Sequence, residues 1–274
     1  MPHHIDIPTL RSIALNAFDT PVRAWRARLG FLVPSANAVV ERDAHLAFPG
    51  GVSAHFGRLK QTEDTPEQIR GLVDHVPEVA SDVADAGVDV IGFACTTGSL
   101  DGGLGYDRRI SEVITKATGI QATTTSTAVV AALRALGIRR PIIVSPYEDW
   151  LNAKVVHFLE ASGFEVAGVF GFGRPKQRDL EAITPDQIVE AVRALNRDDA
   201  DGCLLSCTGF RGFEAVEATE NAIGKPVVNS NQATFWQMLG MAGIDDPVLG
   251  YGRLLAARDR SASAPREETV GGAV

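Results

Sequence analysis

Val88-Asp-Val-Ile-Gly-Phe-Ala-Cys95-Thr-Thr-Gly-Ser99 is a short apolar run that stops at Cys-Thr and continues into glycine and small polar residues. Ala200-Asp-Gly-Cys-Leu-Leu-Ser-Cys207-Thr-Gly-Phe210 repeats the pattern. A strand buried on both faces reads as a continuous apolar run, not an alternating one, so both segments predict strands of a parallel sheet. Open α/β sheets bind ligands at the carboxyl ends of such strands. Each run therefore carries a thiol to the edge of an expected site.

The flanking signals also occur twice, in one order. Arg28-Leu-Gly-Phe-Leu-Val33 predicts a strand broken by Pro34-Ser35, and Arg140-Pro-Ile-Ile-Val144 one broken by Ser145-Pro-Tyr147. Helices follow over 39–48 and 148–162, then strands over 52–59 and 164–170. Thr65-Pro-Glu-Gln68 and Thr184-Pro-Asp-Gln187 each combine a capping Thr, a first-turn Pro and a Gln placed for a capping box. The first of these helices runs towards Gly87, with Pro77 expected to kink or break it. The cysteine strands come next, then a helix over 106–118 in the first copy. Strands ending at Thr125 and Asn229 precede helices over 126–136 and 230–241. This is an internal duplication of about 110 residues. The expected fold class is α/β, with two pseudo-symmetric doubly wound halves, each a parallel four-stranded sheet, and the site between them. The divisions are 1–27 as an N-terminal extension, 28–138 and 139–255 as the halves, and 256–274 as a disordered tail. The C-terminal segment can pack back on the first half.

Composition narrows the class. The chain has 274 residues, 45% of them hydrophobic, which suffices for a large soluble core. A net charge of −8 without basic runs speaks against nucleic acid. No apolar stretch approaches the ~20 residues that span a bilayer, and the N-terminus lacks a secretory pattern. Three cysteines fit a reducing cytoplasm better than a disulfide framework. Cys203 lies mid-strand and reads as core. His45, His55, His75 and His157 lack metal-ligand spacing, so no metal is expected.

Two thiols on opposite sides of a carbon permit one to remove a proton while the other returns it, which is cofactor-free racemisation or epimerisation. A thiolate can instead add to a polarised double bond that rotates before elimination, which is cis–trans isomerisation. A single thiol could protonate an enediolate after loss of CO2. A non-catalytic binder of small acids, with the cysteines as packing, is the remaining class. Thiols near helix N-termini are expected to titrate low.

At these residues the chain resembles the aspartate/glutamate racemase superfamily, on the branch of maleate cis–trans isomerases and arylmalonate decarboxylase. The matching stretches are Val33-Pro-Ser-Ala-Asn37, Ala94-Cys95-Thr-Thr-Gly-Ser99, Thr123-Thr-Thr-Ser-Thr-Ala128, Pro146-Tyr147, Leu205-Ser-Cys207-Thr-Gly and Val228-Asn-Ser-Asn-Gln-Ala233. Gly250-Tyr-Gly-Arg-Leu254 resembles the decarboxylase end. The resemblance implies a cofactor-independent enzyme, often oligomeric, with Cys95 as nucleophile and Cys207 as second thiol. It implies that Asn37 and Tyr147 hold substrate carboxylate. Pro34, Ser35, Thr96, Thr97, Thr208 and Gly209 line the same turns and complete the expected binding set.

Departures qualify the substrate. The decarboxylase lacks the first cysteine, so Cys95 speaks against that activity. Maleate isomerases carry a substrate-contacting Asn where this chain has Arg174-Pro-Lys-Gln-Arg178-Asp, and the added positive charge points to another acid. A racemase-like subgroup of ectoine-utilisation clusters implies an aspartate-like or hydroxyaspartate-like substrate. The plainer readings are that Asn37, Ser126, Asn229, Ser230 and Asn231 cap helices and that Tyr147 packs over a helix start. Arg58, Arg174 and Arg211 read as solvated, with Arg211 the outside candidate for a carboxylate contact.

Overall fold

The computed structural model describes residues 25–257. Residues 1–24 and 258–274 lie outside it, and with them most of the expected extension and tail. Eight strands form two sheets. β1 (Ala27–Pro34), β2 (Val52–Leu59), β3 (Val90–Phe93) and β4 (Ala122–Thr124) lie in the order β2-β1-β3-β4. β5 (Pro141–Ser145), β6 (Gly168–Gly171), β7 (Gly202–Leu205) and β8 (Val227–Asn229) lie in the order β6-β5-β7-β8. All pairings within the sheets are parallel, and the orders correspond strand for strand. The cysteine strands β3 and β7 are central and wholly buried, as their unbroken apolar runs require.

In each sheet the chain moves to one side after its first strand and to the other at its third. The switch points therefore lie between β1 and β3 and between β5 and β7, where open sheets form their ligand crevice. The turns leaving these four strands carry Ser35, Cys95, Tyr147 and Cys207.

The halves interlock. The helix Ser230–Met241 leaves β8 and packs on the helix Thr125–Ala135 and against β3 and β4. Gly92 in β3 has no side chain because Met238 fills the space; an added Cβ would meet the Met238 sulfur at 2.4 Å. Phe235, fully buried, meets Phe31, Phe48 and Phe213 edge-on at centroid distances of 5.8, 5.2 and 5.8 Å. One aromatic ring thus ties β1 to helices of both repeats.

The strand 52–59 and the helices 106–118 and 230–241 fall where the sequence places them. β6 begins only at Gly168, shorter than the apolar run 164–170. The Thr65 box is half formed. Its hydroxyl accepts the Gln68 amide, but Gln68 Oε1 accepts the amides of Thr62 and Glu63 instead of closing on Thr65. Thr184 and Gln187 form the complete box. The helix breaks between Gly71 and Val76, and Pro77 sits in the first turn of the segment that follows.

Candidate active site

Cys95 lies just past the end of β3 and caps the helix Thr96–Leu100, its Sγ accepting the Gly98 amide at 3.3 Å. Thr97 Oγ1 lies 3.6 Å from the same sulfur, and the thiol is 3.8 Å from Gln61 Oε1. Cys207 lies past the end of β7, and its Sγ accepts the Gly209 amide at 3.3 Å. Its φ is 148°, the one positive value for a non-glycine among the described residues. Such backbone outliers cost about 1–3 kcal/mol and cluster at functional sites. The helix after Cys207 begins only at Gly212, so its amide contact comes from a loop.

Tyr147, in the turn after β5, is buried, with 2% exposed. Its hydroxyl is placed to donate to the Cys207 thiolate, and it feels the charge of Cys95 as well. The two cysteines also act on each other electrostatically. Cys95, Cys207 and Tyr147 thus lie within electrostatic reach of one another.

The remaining expected residues join the turns together. Asn37 Oδ1 accepts the amides of Val39 and Val40, while its Nδ2 donates to Thr208 Oγ1 at 3.1 Å. It is both a helix cap and a tie to the Cys207 loop. The Pro34 carbonyl accepts the Asn37 amide. Ser35 Oγ exchanges hydrogen bonds with the backbone of Gln61. Thr96 Oγ1 donates to Ser230 Oγ, which accepts the Cys207 amide. Gly209 is crowded; a Cβ there would meet Gln177 Oε1 at 3.1 Å and Asn37 Nδ2 at 3.5 Å.

The expectation of low-titrating thiols is not met. Burial pushes Cys95 up to about 12, outweighing the lowering by the Gly98 amide and Thr97, and burial likewise raises Cys207. In the closed site both thiols hold their protons.

The loop 174–178 also corrects the sequence reading. Arg174, Lys176 and Arg178 point to solvent, and the buried residue is Gln177. Its Nε2 donates to Asp64 Oδ1 at 2.9 Å, as does Gln61 Nε2. Arg211 is engaged with Glu214, and Arg58 with Glu41. Cys203 lies mid-strand in the core. Gln61, Asp64 and Gln177 were missed. Asp64 is buried, its Oδ2 has no hydrogen-bond partner, and its charge acts on both thiols and Tyr147. Burial lifts its carboxyl to about 7 against the lowering by Gln177 and Gln61. The available signal was position, since Gln61 to Asp64 directly follow the carboxyl end of β2.

A surface depression away from these residues is lined by Leu104, Arg108, Val130, Arg134 and Phe158. Among the described residues no group of three or more His, Cys, Asp or Glu is arranged to hold a metal. Among them no helix is long and apolar enough to cross a membrane.

Arylmalonate decarboxylase of Bordetella bronchiseptica is 31% identical, over 82% of this chain and 95% of its own length. Maleate isomerase of Nocardia farcinica is 31% identical over 83% and 95%. The solved structure of a cysteine-to-serine variant of the Nocardia farcinica maleate cis-trans isomerase, with a covalently bound succinylcysteine intermediate, superposes with a TM-score of 0.80 at 28% identity. It covers 84% of this chain and 98% of that one. The expected two-cysteine isomerase accords with these relatives. The family described as Arylmalonate decarboxylase matches residues 29–255, and with the shared two-sheet fold this shows that the chain belongs to the arylmalonate decarboxylase and maleate isomerase family.

Proposed function

We infer that this chain is a cofactor-independent isomerase of a small dicarboxylate or aspartate-like acid, acting through Cys95 and Cys207. One observation carries the reading. The two thiols leave equivalent strands of the two repeats, each accepts a turn amide, and both share Tyr147 as a neighbour. Amides aimed at a sulfur stabilise it as an anion once substrate is bound, and the same turns suit a carboxylate or a developing enolate. Thr96, Thr97, Thr208 and Gly209 would bind one carboxylate through the cysteine turns, with Asn37 and Tyr147 orienting the other.

At a stereocentre, one cysteine, ionised to the thiolate once substrate is bound, takes the Cα proton, the electron pair moves into the adjacent carboxyl as an enolate, and the other cysteine, still a thiol, protonates the opposite face. At a double bond, a thiolate adds, the new single bond rotates, and elimination restores the thiolate. The succinylcysteine captured in the Nocardia farcinica enzyme supports covalent capacity in this family. An aspartate-like acid, as in the ectoine-utilisation subgroup, favours the first route.

The test is incubation in D2O with a panel of small diacids, read by mass and chirality. Deuterium uptake marks proton transfer, and isomerisation without uptake marks addition and rotation. Cys95→Ala and Cys207→Ala should each abolish turnover; full activity in both variants would refute the reading. Decarboxylation remains a second reading because of the Bordetella bronchiseptica relative. Release of CO2 from a disubstituted malonate that survives Cys95→Ala would support it.

A further inference from the structure

We propose that Asp64 is a specificity residue that recognises a protonated amino group on the substrate, so that the enzyme acts on an amino diacid and not on an amino-free one. The assignment rests on the isomerase reading above.

The geometry around Asp64 is built and incomplete. Two carboxamides, Gln61 from the first repeat and Gln177 from the second, both donate to Oδ1 at 2.9 Å. Oδ2 is buried and has no hydrogen-bond partner. The backbone around it is fastened: the Asp64 amide donates to Pro175 O at 2.9 Å, the Gln177 amide donates to Thr62 O at 3.2 Å, and Glu63 pairs with Lys176. The two loops hold the Asp64 backbone, and turning the carboxylate away would break both carboxamide hydrogen bonds to Oδ1. Gln61 also joins it to the reacting groups, since Gln61 Oε1 lies 3.8 Å from the Cys95 sulfur.

Among the described residues no cation completes the site. The charged neighbour acting on Asp64 is Glu148, an anion, and the groups that feel Asp64 are Cys95, Cys207 and Tyr147, all acids. The loop that supplies Gln177 holds Arg174, Lys176 and Arg178 in solvent. A buried acceptor surrounded by acids is matched by a cationic donor carried in by the ligand. An ammonium group would also cancel the repulsion that Asp64 exerts on a thiolate at Cys95 or Cys207, coupling recognition to activation. An amino-free diacid would leave Oδ2 unpaired and add negative charge beside it.

The experiment uses the full chain and four probes: aspartate, malate, methylsuccinate and maleate. Solvent deuterium uptake and isomer formation are followed for the wild type, Asp64→Asn and Asp64→Leu. The expected result is a kcat/KM for aspartate at least tenfold above every amino-free probe in the wild type. In Asp64→Asn the value for aspartate should fall a hundredfold or more, while that for the amino-free probes stays or rises. Wild-type preference for malate, methylsuccinate or maleate would overturn the assignment while leaving the isomerase reading intact. So would aspartate turnover undiminished in both variants. No turnover of any diacid by the wild type would overturn both. The wild-type preference decides the point even where a variant fails to fold.

Discussion

The hydroxyl of Ser230 accepts the backbone amide of Cys207 at 3.0 Å, and Thr96, beside the other cysteine, donates to the same oxygen at 3.1 Å. A single hydroxyl thus holds both cysteine turns in mutual position, and it does so where Cys207 adopts its unusual φ. Ser230→Ala leaves a buried amide and a buried hydroxyl without partners, at a cost of about 1–3 kcal/mol. The expected result is a Tm a few degrees lower and kcat reduced about tenfold with KM little changed. A lower Tm with unchanged kcat would reduce Ser230 to a structural element.

The raised thiols set labelling behaviour. With Cys95 pushed up to about 12 by burial, its thiolate at pH 7.5 is roughly 10³-fold scarcer than that of free cysteine. Iodoacetamide should label Cys95 slower by about that factor in the unliganded protein, and the rate should keep rising through pH 10. Labelling at neutral pH as fast as free cysteine would contradict the burial argument. Slow labelling consequently says nothing for the non-catalytic alternative.

Asp43 should make stability depend on pH. Its carboxyl is fully buried; Oδ2 accepts from Asn231 at 2.8 Å, whereas Oδ1 has only Arg42 at 3.9 Å. Desolvation lifts it to about 7 despite the lowering by Asn231 and Arg42. The native state then holds this proton more tightly than the unfolded chain, whose carboxyl titrates near ~3.9. The contribution is most favourable below pH ~4 and is lost as pH rises to about 7, by roughly 4 kcal/mol at most. Asp43→Asn should remove that slope, so its advantage over wild type in urea denaturation grows from pH 5 to pH 7. Parallel curves would show that Asp43 does not titrate in this window.

Phe235 should be among the costliest core positions. Its ring meets Phe31, Phe48 and Phe213 within 6 Å, and it is wholly buried. Phe235→Ala is expected to lose about 3–5 kcal/mol in chemical denaturation. A loss below about 1 kcal/mol would mean that the two repeats are held together elsewhere.

The strand ends were legible because apolar runs terminate visibly, and duplication made Cys95 and Cys207 stand out from ordinary buried thiols. Gly119 and Gly137 end their helices with φ values of 73° and 70° that suit glycine, whereas the helix Gly212–Ile223, which ends at Gly224, was not anticipated. Gln61, Asp64 and Gln177 were not legible. Polar residues in loops look solvated until the loops are known to close on each other, and no local pattern says that Asp64 will pair with Pro175 and Gln177 with Thr62. Arg174 reads as solvated and is, but nothing in the basic stretch 174–178 signals that Gln177 alone is withdrawn from water. The thiol pKa values depended on depth of burial, which no spacing encodes.

The exchange of helices across the sheets bears on ancestry. The helix after β8 lies against β3 and β4, and the helix after β4 reaches β8 in return. A polypeptide with one repeat alone would therefore leave an oily socket open and a helix without its seat. Two such polypeptides could have cured each other by the same reciprocal embrace, so an intertwined homodimer is the natural forerunner of this chain. Fusion of its genes would then have freed each thiol to diverge from its twin.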